Sequence, residues 1–473
     1  MMRKFGIAAV FGLITLAPFT LAPLALGAET LTDALISAYR NSHLLEQNQA
    51  VLRAADEDLA TAVGTILPVF SFQASVNASG SYDANRRDFL GRPLSDQSPL
   101  SLSDTVSLVA SMTLFDFGRG KHGIALRNEL VLASQQSLVN IEQQVLLDAV
   151  SAYVNMGLQA ELVAAQESNV RLITQDLRAA NDRFEVGEVT RTDVALAQAQ
   201  LASANAALAS AQGNYNIARE RYNAAIGHYP GPLSGLPKWP NAAKTVAAAR
   251  AIALRNHPVI LQSQHQARAS DIAVELARTG MLPTVEGRAS LSQTFSGGNS
   301  GNINESLSIT LNQTLYAGGQ LSSALRKAIA QSQSSHAGLL QTGVNVEEAV
   351  GRAWANILVA KVSIEAGDQQ IRAAQAAYDG VKQEAELGSR TTLDVQDAEQ
   401  NLLSARAARL QAAANLYVSQ YQLLSAMGLL TASHLNLGIP TFDPSAYLNA
   451  VSRAPATSGR GARLDRILKT LGK

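Results

Sequence analysis

The sequence contains no cysteine, and this absence removes several classes of chemistry at once. Its 473 residues can form no disulfide, no thiolate metal site, no cysteine nucleophile and no lipid-modified cysteine. Aromatic residues are scarce at 5%, although hydrophobic residues reach 47%. Because alanine dominates the apolar residues, the composition favours long, closely packed helices over a thick globular core.

The sequence also has no net charge. Lys and Arg together number 38, as do Asp and Glu, so nothing in the composition indicates a nucleic-acid partner. The glycine-rich segment at 118–123 (GRGKHG) lacks the ending of a phosphate-binding loop, and we interpret it as a strand-to-helix junction. We find no catalytic constellation, no cofactor motif and no metal site in the sequence.

The first 28 residues have the pattern of a secretory signal. Arg3 and Lys4 precede an apolar run over 5–26, and small residues over 24–28 (LALGA) offer a cleavage site after Ala28. Beyond this segment, no stretch approaches the roughly 18 to 20 apolar residues that a membrane-spanning helix needs. We therefore expect an exported protein that does not use helices to cross a membrane.

The chain is internally duplicated. Residues 183–227 recur 201 positions later as residues 384–428, so that Gly187 matches Gly388 and Asp193 matches Asp394. A repeat of this length predicts two structurally equivalent halves rather than a solenoid of small units.

Four short segments alternate between apolar and small polar residues. They are residues 70–78, 105–115, 284–292 and 307–314. A period of two with one apolar side is typical of strands in outer-membrane barrels. The segments predict two β-hairpins, 69–117 and 284–316, with loops at 79–104 and 295–305.

A long proline-free helical pattern follows each β-hairpin. Apolar residues recur every seven positions in it, which favours left-handed supercoiling. A short break at Gly187 or Gly388 leads into a second, antiparallel helix with an alanine seam. The predicted helical hairpins span residues 120–227 and 321–428.

A helical segment of about 37 residues precedes each β-hairpin, at 30–66 and at 246–281. The proposed division is a signal segment, a first structural repeat, a proline-rich linker, a second repeat and a C-terminal region. These correspond to residues 1–28, 29–227, 228–245, 246–428 and 429–473. After Pro440 the periodicity is lost and the tail becomes basic, so we expect it to be disordered or loosely attached.

Four barrel-type strands cannot close a barrel alone. Unpaired strand edges are costly in hydrocarbon, and membrane barrels begin at about eight strands. At least two chains must therefore share one barrel. Two chains give eight strands with a filled interior, whereas three give twelve and begin to leave a lumen.

The order of elements, with VGEVTRTDV and LGSRTTLDVQDAEQNL at the helical turns, resembles the TolC family of outer-membrane efflux proteins over residues 29–437. The resemblance implies all-α coiled-coil hairpins plus transmembrane β-strands, internally duplicated. Three chains would form a 12-stranded β-barrel continuous with a 12-helix periplasmic α-barrel. Because it has no cysteine that could be lipid-modified, the chain resembles the TolC-type, non-lipoprotein branch of this family.

The resemblance also implies a function and partners. The protein would be the channel-tunnel of a tripartite efflux or type I secretion system, located in the outer membrane of a Gram-negative bacterium and extending into the periplasm. It would be a passive homotrimer in outer-membrane lipid, without enzymatic activity. Its partners would be a periplasmic membrane-fusion (adaptor) protein and an inner-membrane transporter of the ABC or RND type.

Two other functions remain open from the residues alone. A periplasmic adaptor is also exported and coiled-coil, but it would carry lipoyl-like and β-barrel domains with a single hairpin. A structural coiled-coil surface protein would show uninterrupted heptads and one C-terminal anchor region.

The candidate site lies at the helical turns. By resemblance, Asp394 and Asp397 form the entrance constriction, where three chains would place six carboxylates around one axis and favour cations. Arg390 and Asp193 would form links that hold the tips closed. The turns at Gly187 and Gly388 would dock the adaptor.

Overall fold

The computed structural model describes most of the chain. It covers residues 28–80, 89–90, 101–238, 243–296, 300–451 and 466. The predicted signal segment lies outside the described residues except for Ala28, as do most of the predicted loop at 79–104 and nearly all of the basic tail.

One antiparallel sheet contains both predicted β-hairpins. Its strands are β1 (Val69–Ser79), β2 (Ser101–Phe115), β3 (Thr284–Ser296) and β4 (Ser300–Asn312), in the order β1-β2-β3-β4. The predicted loop at 295–305 is wrong, because Phe295 pairs with Gly301 and Leu291 pairs with Glu305. The glycines suggested a loop, but pairing with β3 satisfies backbone groups that a loop would leave to solvent.

The register places the apolar side chains on one face of the sheet. Phe72 lies opposite Leu108, and Leu108 lies opposite Leu291 on the next strand. This face is uncovered in the single chain, where Phe72 is 71% exposed and Leu307 is 82% exposed. Strands β1 and β4 form the two edges, so each has one partner strand among the described residues.

Nine helices lie within the described residues. They are α1 (Leu31–Asn41), α2 (His43–Gly64), α3 (Arg119–Glu185), α4 (Arg191–Ile226), α5 (Val246–Asn256), α6 (Pro258–Thr279), α7 (Gln320–Glu386), α8 (Thr392–Ala426) and α9 (Pro444–Val451). Helices α3 and α7 have 67 residues each, which corresponds to about 100 Å. Helix α4 folds back along α3, and α8 along α7. None of the described helices combines the length and apolarity needed to cross a membrane.

The prediction of a single helix before each β-hairpin is wrong, because each of the two helical segments is divided into two helices. Ser42 leaves the helical region, with ψ at 105°, and its hydroxyl accepts a hydrogen bond from the backbone N–H of Leu45 at 3.2 Å. In the second repeat, His257 has ψ at 122° and stands before Pro258. Since a residue before proline disfavours the α conformation, this break follows from local sterics.

The core lies where the long helices pass α1, α5 and the start of the C-terminal region. Among its buried side chains are Tyr153, Tyr222 and Leu424. The expectation of disorder after Pro440 is wrong for residues 444–451, which form α9. Pro444 occupies the first position of this helix, and the hydroxyl of Tyr447 donates to Glu57 of α2 at 2.7 Å.

Candidate functional site at the helical turns

The two helical hairpins reverse direction through the same backbone geometry. Gly187 has φ of 81° and Gly388 has φ of 77°, both in the left-handed region. In each turn the amide after the glycine donates to the carbonyl four residues before the glycine, at 2.9 Å. This is the hydrogen bond of a Schellman motif, for which glycine is favoured because it carries no Cβ.

The return helix of each hairpin begins with a capping box. In the first, Asp193 Oδ2 accepts hydrogen bonds from the backbone N–H and the hydroxyl of Thr190, both at 2.8 Å. In the second, Asp394 Oδ2 accepts the same two bonds from Thr391, at 3.0 and 2.8 Å. The Thr hydroxyl in turn accepts from the Asp backbone N–H at 3.3 Å in both. Two of the predicted entrance acids therefore also begin helices.

These hydrogen bonds set the protonation of both carboxyl groups. Bonds from the backbone and then the side chain of Thr190 lower the pKa of Asp193. Thr391 lowers the pKa of Asp394 in the same way, with a smaller contribution from Arg390. Both groups are therefore carboxylates at neutral pH. The motif Thr-x-x-Asp after the turn glycine was the sequence signal for this role.

Asp397 differs from the other acids at the turns. It is exposed, one turn of α8 beyond Asp394, and it makes no hydrogen bond or ion pair with any described residue. Its counterpart in the first hairpin, 201 positions earlier, is Leu196. The second tip therefore has an exposed carboxylate without a described hydrogen-bond partner, where the first tip has an aliphatic side chain.

Arg390 is bound within its own tip. Its Nε donates to Glu384 Oε2 at 2.9 Å, which joins the end of α7 to the turn. Glu384 first, and then Asp394, raise the pKa of Arg390. Sequence reasoning missed Glu384, although opposite charges on either side of the turn glycine were a usable signal. Within the described residues no ion pair joins Arg390 to Asp193, so the predicted links do not form inside one chain.

The family profile described as "Outer membrane efflux protein" matches residues 35–228 and 250–429, which are the two repeats. The chain belongs to the outer membrane efflux protein family. The resemblance to TolC-type channels is thereby confirmed. The protein is an outer-membrane efflux channel of a Gram-negative bacterium that extends into the periplasm, and the family is one of passive channels rather than enzymes.

Relatives of the efflux channel extend over almost the whole chain. Outer membrane efflux protein BepC of Brucella suis biovar 1 is 32% identical over 427 residues, covering 90% of this chain and 91% of BepC. Outer membrane protein TolC of Escherichia coli K12 is 25% identical, with 93% and 90% covered.

Solved structures of outer-membrane channels share the fold. The Campylobacter jejuni CmeC channel matches with a TM-score of 0.74 at 16% identity, over 89% of both chains. The open state of the Neisseria gonorrhoeae MtrE channel matches with 0.71 at 19%, over 85% of this chain and 89% of MtrE. The predicted fold class of helical hairpins with a strand region, written twice, is confirmed.

Proposed function

We propose that three copies of this efflux channel form a passive exit duct, entered through the tips at Gly187 and Gly388. The duct connects the periplasm to the outside in a tripartite efflux or type I secretion system. The observation that supports assembly is that part of the surface of α7 is not covered by other helices in the single chain.

The two repeats contact each other asymmetrically within the chain. Helix α6 packs against both long helices, α3 and α7, and α8 likewise packs against α7 and α3. The first-repeat equivalents, α2 and α4, pack along α3, with smaller contacts to α9 and α1 respectively. The duplication indicates which helix is missing beside them, and that helix is α7 of a neighbouring copy.

The side chains on the long helices agree with this arrangement. On α7, Val344 is 59% exposed and Val359 is 64% exposed. Their counterparts on α3, Gln143 and Leu158, are buried at 2% and 6%, and α6 and α8 of the second repeat pack along α3. Repeating that packing between chains buries the apolar seam of α7, at about 25 cal/mol for each Å² removed from water.

The sheet leads to the same neighbour. Strand β4 lies at one edge and β1 at the other, so β4 of one copy can pair with β1 of the next as β2 pairs with β3. Closure removes every open edge, which hydrocarbon requires. A duct needs a lumen, and about twelve strands leave one whereas eight are filled by side chains. Three copies satisfy both conditions and match the trimer implied by the sequence resemblance.

The entrance lies at the tips of the second hairpins. Three copies bring Asp394 and Asp397 around one axis, where the carboxylates favour cations and oppose anions. Asp193 Oδ1 accepts no hydrogen bond from the described residues. In the closed ring, Arg390 forms an ion pair with Asp193 Oδ1 at the tip of an adjacent first hairpin. Loss of these ion pairs widens the entrance.

The exposed ends of the hairpins are the proposed docking points. Beside the turn glycines, Val186 is 72% exposed and Leu387 is 86% exposed. Such apolar tips suit a helical partner, a periplasmic adaptor held by an inner-membrane transporter of the ABC or RND type. The transporter supplies the energy, since no nucleotide-binding motif occurs in the sequence.

The experiment is reconstitution of purified protein in a planar bilayer, with oligomer size measured on the same sample. We expect heat-sensitive trimers that conduct ions and prefer cations. Folded trimers without conductance would disprove the duct, and a conducting dimer would disprove the stoichiometry.

A further inference from the structure

We propose that Glu399 is a proton-operated latch between the two helical hairpins of each chain. When Glu399 is protonated, α8 stays packed against α3; when it is ionised, this junction loosens. The latch itself is a property of the packing. Only its consequence, a shift of the second tip and its entrance carboxylates, rests on the proposed function.

The latch residue is enclosed where the two hairpins meet. Glu399 is 7% exposed, and its Oε1 is fully buried without a hydrogen-bond partner among the described residues. It borders a cavity of about 320 Å³ that also touches Leu172 of α3 and Tyr378 of α7. A buried carboxylate without a partner strongly disfavours its ionised form, so separation of the helices relieves a cost only when the group is charged.

The charged neighbours do not neutralise this carboxylate. Asp176 of α3 faces it with the same sign of charge, and Tyr378 and Lys382 of α7 also lie near it. Asp379 lies close to Tyr378. The Lys382 ammonium lies over the ring of Tyr378, 5.9 Å from its centroid. Arg406, seven residues further along α8, also lines the cavity, and its guanidinium group donates a hydrogen bond to Gln375 at 2.8 Å.

The direction of the pH effect follows from this environment. Burial, and then Asp176, raise the pKa of Glu399 from 4.5 to about 7, while Lys382 opposes the rise. The packed junction therefore binds the proton more tightly than the separated helices do. Its stabilisation is complete below the ordinary value of 4.5 and is lost progressively as the pH rises to about 7.

The latch is confined to one of the two kinds of junction. At the positions 201 residues away, Gln198 stands for Glu399, Ala377 for Asp176 and Asn181 for Lys382. The junction between neighbouring chains, built from these counterparts, has no carboxyl group at the places of Glu399 and Asp176. A rise in pH would thus loosen each second hairpin from its own first hairpin while the subunit contacts remain.

Hydrogen exchange of the full-length protein in detergent tests the latch without measuring any current. The protection of amides 395–410 is compared at about pH 5.5 and about pH 8, after correction for intrinsic exchange; a loss on the order of tenfold at the higher pH is expected for the wild type. Glu399→Gln should keep its protection at both values, because the amide cannot ionise. Asp176→Asn should make the loss of protection smaller and complete it at a lower pH, because removing the like charge while leaving Lys382 lowers the pKa of Glu399.

The matched control is Glu365→Gln, which neutralises an exposed glutamate on α7 and should exchange like the wild type. The same pH-dependent loss in Glu399→Gln as in the wild type would overturn the latch, and so would an absence of loss in the wild type. Because exchange measures helix packing, a failure to conduct in bilayers would count against the duct and leave this result standing.

Discussion

The two tips share one backbone and differ in their charges. Gly187 and Gly388 adopt the same left-handed turn, and a Thr-x-x-Asp capping box follows each of them. Only the second tip has the Glu384–Arg390 ion pair and the exposed carboxylate of Asp397. At the same places the first tip has Arg183, Val189 and Leu196.

This difference separates folding from function along a single chain. The residues common to both tips are those that reverse the chain and start the return helix. The first tip adopts the same turn without the residues that differ, so the turn does not require them and they can create an electrostatic surface. We therefore expect substitutions of shared residues to affect both tips alike, and substitutions of the others to change only ion passage.

The largest expected effect comes from the carboxylates of the second tip. Asp394→Asn with Asp397→Asn removes six charges from the entrance of a trimer, and the preference for cations over anions should fall severalfold. The amide oxygen at position 394 can still accept the capping hydrogen bonds from Thr391. The measurement is the reversal potential of bilayer currents in a salt gradient.

The matched control places the charge on the other tip. Leu196→Asp gives the first hairpin the acid of the second, and cation preference should rise above the wild type. Glu365→Gln, far from the tips on α7, should leave the reversal potential unchanged. An unaltered reversal potential in the double Asn variant would show that the entrance acids do not select ions.

The turn glycines should be equally sensitive in the two tips. Gly187→Ala and Gly388→Ala each force a Cβ into the left-handed region, at a cost of about 1 to 2 kcal/mol. A Cβ at either position would meet no described atom within 4 Å, so the strain is in the backbone alone. Local hydrogen exchange at each turn measures the effect.

Gly213→Ala is the control for these variants, since this glycine lies inside α4 with open space beside it. Alanine favours a helix interior by about 1 kcal/mol, so this variant should be stabilised. A clear inequality between the two turn variants would break the backbone equivalence of the tips.

Loss of a capping threonine should have a smaller effect. Thr190→Ala and Thr391→Ala each remove the hydroxyl that accepts a hydrogen bond from the third residue of the helix. About 1 kcal/mol is expected at each helix start. Thr190→Ser and Thr391→Ser keep the hydroxyl and should remain near wild-type protection, so frayed serine variants would argue against capping.

Acid should fray both tips together, with the smallest effect of the series. The pKa values of Asp193 and Asp394 are lowered in the folded chain. Their stabilisation is thus present above the ordinary aspartate value of about 3.9 and is lost as the pH falls through the folded values. Exchange at amides 188–196 and 389–397 should accelerate in parallel on acidification, and fraying of one tip alone would contradict this.

Much of the fold could be predicted because its signals are local or repeated. Alternation of apolar residues located the strands, and the matched glycines located both turns. The break before Pro258 was also locally encoded, although the helical pattern on either side of it concealed the signal. The prediction of a loop at 295–305 was wrong, because strand pairing with β3 determined the conformation there and the glycine content did not.

The sequence by itself determined the duplication, the hairpins and the acids of the second tip, because each depends on residues a few positions apart or on an exact repeat. Only the tertiary structure decided the environment of Glu399, which is buried where α8 packs against α3. Burial and charge neighbours arise from segments far apart in the chain, and no local pattern encodes that distance.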